Sequence, residues 1–202
     1  MNFLAHLYLA GDDPQALVGG LMGDFVKGRI ETLEGLTPGL RQGIVLHRRV
    51  DAFTDAHPLV GRSRGRVQPR FRRYAGILVD VYYDHFLARH WQRYAAEPLP
   101  AFTARVYRVL AGHYALMPPR MQRSVACMIR DDWLGGYRQL AGVGRALRGI
   151  EGRLRRESRL GEAVADLEMN YPALEQDFIS FFPLLCAFVA EQTAPPPPPA
   201  RE

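Results

Sequence analysis

Ile77-Leu78-Val79-Asp80-Val81-Tyr82-Tyr83-Asp84-His85-Phe86-Leu87 sets two carboxylates one helical turn apart inside an otherwise apolar run. Such a run reads as a helix buried on most sides, and charged groups there need a partner, because an unpaired buried charge costs several kcal/mol. Left alone, Asp80 and Asp84 repel and one is driven to protonate. A divalent cation removes that conflict for one of them; a structural network of Arg and Tyr partners is the alternative.

Outward from this stretch, apolar positions recur at helical spacing and no long segment alternates strictly, so the class is all-α. Breaks are expected at Gly11 to Pro14, Gly35 to Gly39, His57-Pro58, Pro98 to Pro100, Pro118-Pro119, Gly135-Gly136 and Tyr171-Pro172. They divide the chain into about eight or nine helices. Pro69 is expected in the first turn of a long helix reaching about Tyr94. In the last helix Leu174, Phe178, Phe181, Leu185 and Phe188 share one stripe, which packs on the bundle, while Pro183 kinks or interrupts it. Residues 1–192 form one helical domain, and 193–202, with five consecutive prolines, a disordered tail.

Hydrophobic types make up 48% of the 202 residues, enough for a full core. Lys and Arg outnumber Asp and Glu by 26 to 21, which favours an anionic partner without choosing among phosphate, acidic protein and nucleic acid. Cys127 and Cys186 stand far apart in apolar surroundings and read as reduced thiols, which excludes a Cys-rich zinc site. The amino-terminal apolar run lacks a basic n-region and is broken by Asn2 and His6, and the uncharged run Phe178 to Ala190 is short of a membrane span. A soluble cytoplasmic protein is expected.

Polar side chains recur in the apolar segments of the first ninety residues. His6 stands alone in Phe3-Leu4-Ala5-His6-Leu7, as a satisfied core histidine or a metal ligand. Asp24 lies among apolar neighbours three residues before Lys27, as an exposed ion pair or an inward carboxylate. His47, Asp51 and Asp55, spaced by four, form a ladder on one helix face, in which a carboxylate shares a metal with the imidazole or orients it. Asp55 is read instead as capping the turn before His57-Pro58. Arg48 and Arg49 point away from the ladder and offer planar donors to phosphate oxygens, or are surface charges. Together His6, Asp24, His47 and Asp84 supply ligands from four helices, as helical bundles do, and a mixed nitrogen and oxygen set suits Mn²⁺, Fe²⁺ or Zn²⁺. Arg62, Arg64, Arg66, Arg70, Arg72 and Arg73 precede the carboxylate-bearing helix as a solvated basic face or a docking patch. The cluster from Arg145 to Arg159 reads as an ordinary exposed helix.

Four motifs, Met1 to Ala10 (MNFLAHLYLA), Gly23 to Gly28 (GDFVKG), His47 to Asp55 (HRRVDAFTD) and Asp80 to Trp91 (DVYYDHFLARHW), together resemble the bacterial acyl carrier protein phosphodiesterases, an atypical branch of the HD phosphohydrolase superfamily. The resemblance implies an HD-like helical fold, a divalent metal (Mn²⁺, or Fe²⁺, Mg²⁺ or Zn²⁺) and hydrolysis of holo-acyl carrier protein to the apo form and 4′-phosphopantetheine. Gly23-Asp24 stands where that superfamily has its His-Asp pair, so Asp24 keeps a ligand role and His47 becomes the candidate for the absent imidazole. Within this reading the metal acidifies water and polarises the phosphodiester, Arg48 or Lys27 stabilises phosphoryl charge, and Asp51 or His85 handles protons. Arg49 and the six arginines of the basic segment would bind the acidic carrier. Competing readings are a phosphohydrolase acting on a nucleotide or other small phosphate ester and an Arg-rich nucleic-acid-binding protein without catalysis; the carboxylates in apolar helices favour an enzyme, and no nucleic acid or membrane partner is expected.

Overall fold

The structure is a computed structural model that describes residues 1–154 and 158–193. The expected tail lies outside the described residues beyond Thr193. Eleven helices and five 3₁₀ turns make up the described chain, with no strand among the described residues. The helices are α1 (Phe3–Leu9), α2 (Pro14–Met22), α3 (Pro38–Ala56), α4 (Pro58–Arg66), α5 (Ala75–Arg89), α6 (Leu99–Gly112), α7 (Pro119–Arg130), α8 (Trp133–Gly136), α9 (Leu140–Glu151), α10 (Val164–Met169) and α11 (Tyr171–Thr193). The all-α class holds. The helix number exceeds the expectation because α8 and α10 are four and six residues long, too short for a periodic signal.

Helix starts follow the punctuation in the sequence. Pro14, Pro38, Pro58 and Pro119 each occupy a first turn, where the missing N–H has no partner to lose. Asp13 and Thr37 cap α2 and α3 through bonds from Ala16 N and Leu40 N. One proline expectation fails. Pro69 opens a 3₁₀ turn, Pro69–Tyr74, and the α-helix begins only at Ala75. Pro183 lies inside α11 without ending it; the proline is exposed, so water can satisfy the backbone carbonyl it leaves free.

α5 runs through the centre, with Leu78, Val79, Tyr82, Tyr83, Phe86 and Leu87 fully enclosed. α11 meets the expectation for its stripe: Leu174, Phe178, Phe181 and Leu185 are buried against α3, α4 and α5, and Phe188 is half-buried. By length and composition α11 also satisfies the requirement for a membrane span, but its apolar stripe is taken up by this packing. Cys127 and Cys186 are free, half-buried thiols.

α2 and α3 cross at close range because glycines face each other. A Cβ on Gly19 would come 2.2 Å from the Leu40 carbonyl oxygen, and one on Gly43 2.1 Å from that of Ala16. No larger residue fits either place without moving the helices apart. That contact brings the α2 backbone beneath His47, one turn after Gly43.

Candidate metal-binding cleft

α1 delivers His6, and α3 delivers His47 and Asp51. One ligand atom from each lies within 4.8 Å of the other two. The imidazoles stack with centroids 3.8 Å apart and planes 19° from parallel. His47 Nε2 is 3.2 Å from Asp51 Oδ2 and 3.7 Å from Asp24 Oδ1. His6 Nε2 is 3.1 Å from Asp51 Oδ1 but outside hydrogen-bond direction, and this buried nitrogen has no hydrogen-bond partner among the described residues. Asp80 closes one side, its Oδ1 3.1 Å from the Met1 nitrogen, which also lies 3.5 Å from Asp51 Oδ1.

The close α2–α3 crossing sets the chemistry of His47. Its Nδ1 is 2.7 Å from the Gly20 carbonyl, an acceptor only, so Nδ1 carries the proton and Nε2 turns to the carboxylates. A backbone carbonyl on the far nitrogen is the outer partner that metal-binding imidazoles have. Without a cation, a proton fills the same place: burial opposes it, but the hydrogen bond to Asp51 and the charges of Asp24 and Asp51 raise the His47 pKa. Burial, with the charge of His47 adding to it, holds His6 down at about 3, so His6 is a neutral lone-pair donor at neutral pH. Asp51 resists burial because both imidazoles hold its carboxyl far below the usual range. Burial raises Asp24, although 42% of its side chain meets solvent at the rim. Two imidazoles, one of them with a buried nitrogen that makes no hydrogen bond, and an ionised carboxylate fit a divalent cation of the kind that takes mixed nitrogen and oxygen ligands.

Gly23 has no room for a side chain. A Cβ at this position would lie 2.3 Å from Cγ of His47. The His47 ring from α3 thus fills the space in which a side chain at position 23 would begin.

The structure distributes the other candidate residues differently from the sequence expectation. Asp84 stays out of the cluster: its oxygens accept from Leu4 N at 2.7 Å and Ala5 N at 3.1 Å, capping α1, for which Asn2 provides no side-chain bond. His85 is engaged away from the cluster, by the Tyr137 carbonyl at 2.7 Å and the Tyr171 hydroxyl at 2.9 Å. Arg48 donates to the Gly28 carbonyl at 2.9 Å and so braces the loop after α2, on which Lys27 is exposed. Arg49 reaches Gln192 on α11 at 2.9 Å. Asp55 pairs with Arg64, and the cap before α4 is His57 Nδ1, which accepts from Leu59 N at 3.3 Å.

The basic segment divides as well. Arg62 and Arg66 hold Asp177, 1% exposed, at 2.5 and 3.2 Å, and Arg70 pairs with Glu162 at 3.2 Å. Arg72 and Arg73 are exposed and carry no ion pair among the described residues. Sequence reasoning missed the wall opposite the first ninety residues: Arg153 and Ile150 of the supposedly ordinary α9 region line the cleft with Asp24, Asp80 and Phe3.

Fold and cleft together define an all-helical protein with a preassembled imidazole and carboxylate cluster. The family model described as acyl carrier protein phosphodiesterase matches residues 1–185. Proteins named acyl carrier protein phosphodiesterase are 40% identical in Serratia proteamaculans over 91% of this chain and 94% of the relative, 37% in Yersinia enterocolitica over 92% and 95%, and 37% in Salmonella dublin over 95% and 99%. The chain belongs to the acyl carrier protein phosphodiesterase family, a family of enzymes. No solved structure gives a significant match.

Proposed function

We propose that the protein hydrolyses holo-acyl carrier protein to the apo form and 4′-phosphopantetheine with a divalent cation, Mn²⁺ first among the candidates, bound by His6, His47 and Asp51 with Asp24 at the rim. Family membership over residues 1–185 supports the substrate, and the observation that carries the metal is the buried Nε2 of His6, which makes no hydrogen bond and lies against a second imidazole and the Asp51 carboxylate. When bound, such a cation supplies Lewis-acid charge to the phosphodiester oxygens and acidifies water. His6 provides its neutral nitrogen, and the Gly20 carbonyl holds the His47 ring in one tautomer. Water adds to phosphorus, the bond from phosphorus to the carrier serine oxygen breaks, and that oxygen gains a proton. Asp24, raised by burial and partly open to solvent, is suited to move a proton at the rim. His85 and Asp84 are assigned no part in this chemistry.

The exposed Arg72 and Arg73 stand ready for an acidic partner, and a depression lined by Arg64, Arg72, Ile77 and Asp80 meets the cleft at Ile77 and Asp80. A carrier protein held at these arginines would present its modified serine toward the cluster. The test is incubation of the purified protein with holo-acyl carrier protein and Mn²⁺, followed by intact mass. Loss of the prosthetic group is expected. An intact carrier alongside metal-dependent hydrolysis of a nucleotide would overturn the substrate, and full activity in chelator would overturn the metal.

A further inference from the structure

Beyond the cleft lies a cavity of about 240 Å³. Its walls include Phe3, Trp133, Tyr137, Ala146, Ile150 and Arg153. Phe3 and Trp133 stack at 6.4 Å, and Asn2 donates to the Tyr137 hydroxyl at 2.8 Å. Asn2, Phe3, Ile150 and Arg153 line both the cavity and the cleft that holds Asp24 and Asp80, so the two spaces adjoin across these four residues. The depression beside Arg72, which carries Arg64 and Arg72 together with Asp55 and Asp80, adjoins the cleft on its other side at Ile77 and Asp80.

We propose that the apolar cavity receives the pantetheine arm of the substrate while the scissile phosphate stays in the cleft. This inference rests on the carrier-protein reading above. The arm is the one part of such a substrate that is joined to the reacting phosphate, narrow and flexible. A carrier helix, about 10–12 Å across with its side chains, does not enter a cavity of this volume. The aromatic and aliphatic walls suit the arm's methyl and methylene groups, and the Tyr137 hydroxyl, which accepts from Asn2, keeps a hydrogen to donate to an arm amide. Arg153, at the junction, has its pKa lowered by burial first and by Arg120 next, and its guanidinium sits where the phosphate end of the arm would pass. Serine on one side and pantetheine on the other would then fix the direction of the phosphodiester.

Gly149 allows a direct test, because it lines the cavity and a Cβ there meets nothing within 4 Å. Gly149→Phe narrows the cavity without a clash in the helix. With Mn²⁺ present, kcat/KM is measured for holo-acyl carrier protein and for bis(p-nitrophenyl) phosphate, which has no arm. The ratio of the two is expected to fall at least about tenfold in Gly149→Phe; an unchanged ratio overturns the proposal. On the unaltered protein, 4′-phosphopantetheine is expected to inhibit bis(p-nitrophenyl) phosphate hydrolysis at about one tenth the concentration of inorganic phosphate or less. Equal potency overturns the proposal even if the carrier is turned over. A protein that hydrolyses the small diester but never the carrier overturns the substrate reading, and this inference with it.

Discussion

At the residue scale, the cluster depends on where the His47 ring stands. Gly23→Ala puts a methyl group 2.3 Å from that ring, so the imidazole must shift while the helices around it keep their packing. A displacement of about 1 Å at a reacting centre lowers rate on the order of 100-fold. Gly23→Ala is therefore expected to lose about that factor in kcat with a nearly unchanged thermal midpoint, checked by carrier hydrolysis and calorimetry. Asp51→Ala removes the carboxylate that touches both imidazoles. Carrier hydrolysis is expected to fall at least about 100-fold and Mn²⁺ affinity to fall with it, the latter measured by equilibrium dialysis. Full Mn²⁺ binding in Asp51→Ala would remove the cluster from consideration. The spacing of four from His47 puts Asp51 beside that imidazole, but the sequence does not say that His6 of α1 stands on its other side; the neighbours across the α1–α3 contact make that difference.

At the element scale, α1 is seven residues long and lacks a cap of its own. Isolated helices of that length do not persist in water, so packing and the tertiary cap from Asp84 hold it in place. Asp84→Ala leaves the Leu4 and Ala5 N–H groups buried without an acceptor, and a loss of about 2–5 kcal/mol is expected in urea unfolding. Activity lost in this variant would follow from α1 and His6 losing their position. The cap also carries a pH signature. Burial pushes the Asp84 carboxyl up to about 7 from its ordinary 3.8, against the bonds from Leu4 and Ala5. The folded chain then binds this proton more tightly than the unfolded one, so the contribution to stability falls as pH rises from about 4 to about 7 and is level above. Asp84→Asn, which does not titrate, is expected to gain on the wild type across that window; a parallel pH profile for both proteins would contradict the assignment.

At the scale of the whole molecule, segments distant in sequence meet at the cleft: the first ninety residues supply Asp24 and Asp80, and Ile150 of α9 with Arg153 supplies the opposite wall. An acidic carrier held by Arg72 and Arg73 implies salt-sensitive binding, because exposed charges are screened over a Debye length of about 10 Å at 0.1 M salt. The paired change Arg72→Glu with Arg73→Glu is expected to raise KM for the carrier about tenfold, with kcat nearly constant, and to flatten its dependence on ionic strength. Much of this architecture was legible in the sequence. Prolines and glycines marked the helix starts, the stripe from Leu174 to Leu185 announced its burial, and His6, His47 and the acidic residues stood out as polar groups in apolar helices that required a partner. Periodicity reports which side of a helix faces inward and stops there. It could not say that Asp84 faces the free N–H groups of α1, that His85 faces Tyr137 and Tyr171, or that His47 enters the space beside Gly23. Those roles depend on which element lies opposite, which is settled when helices distant in sequence pack, here at the distance allowed by Gly19 and Gly43.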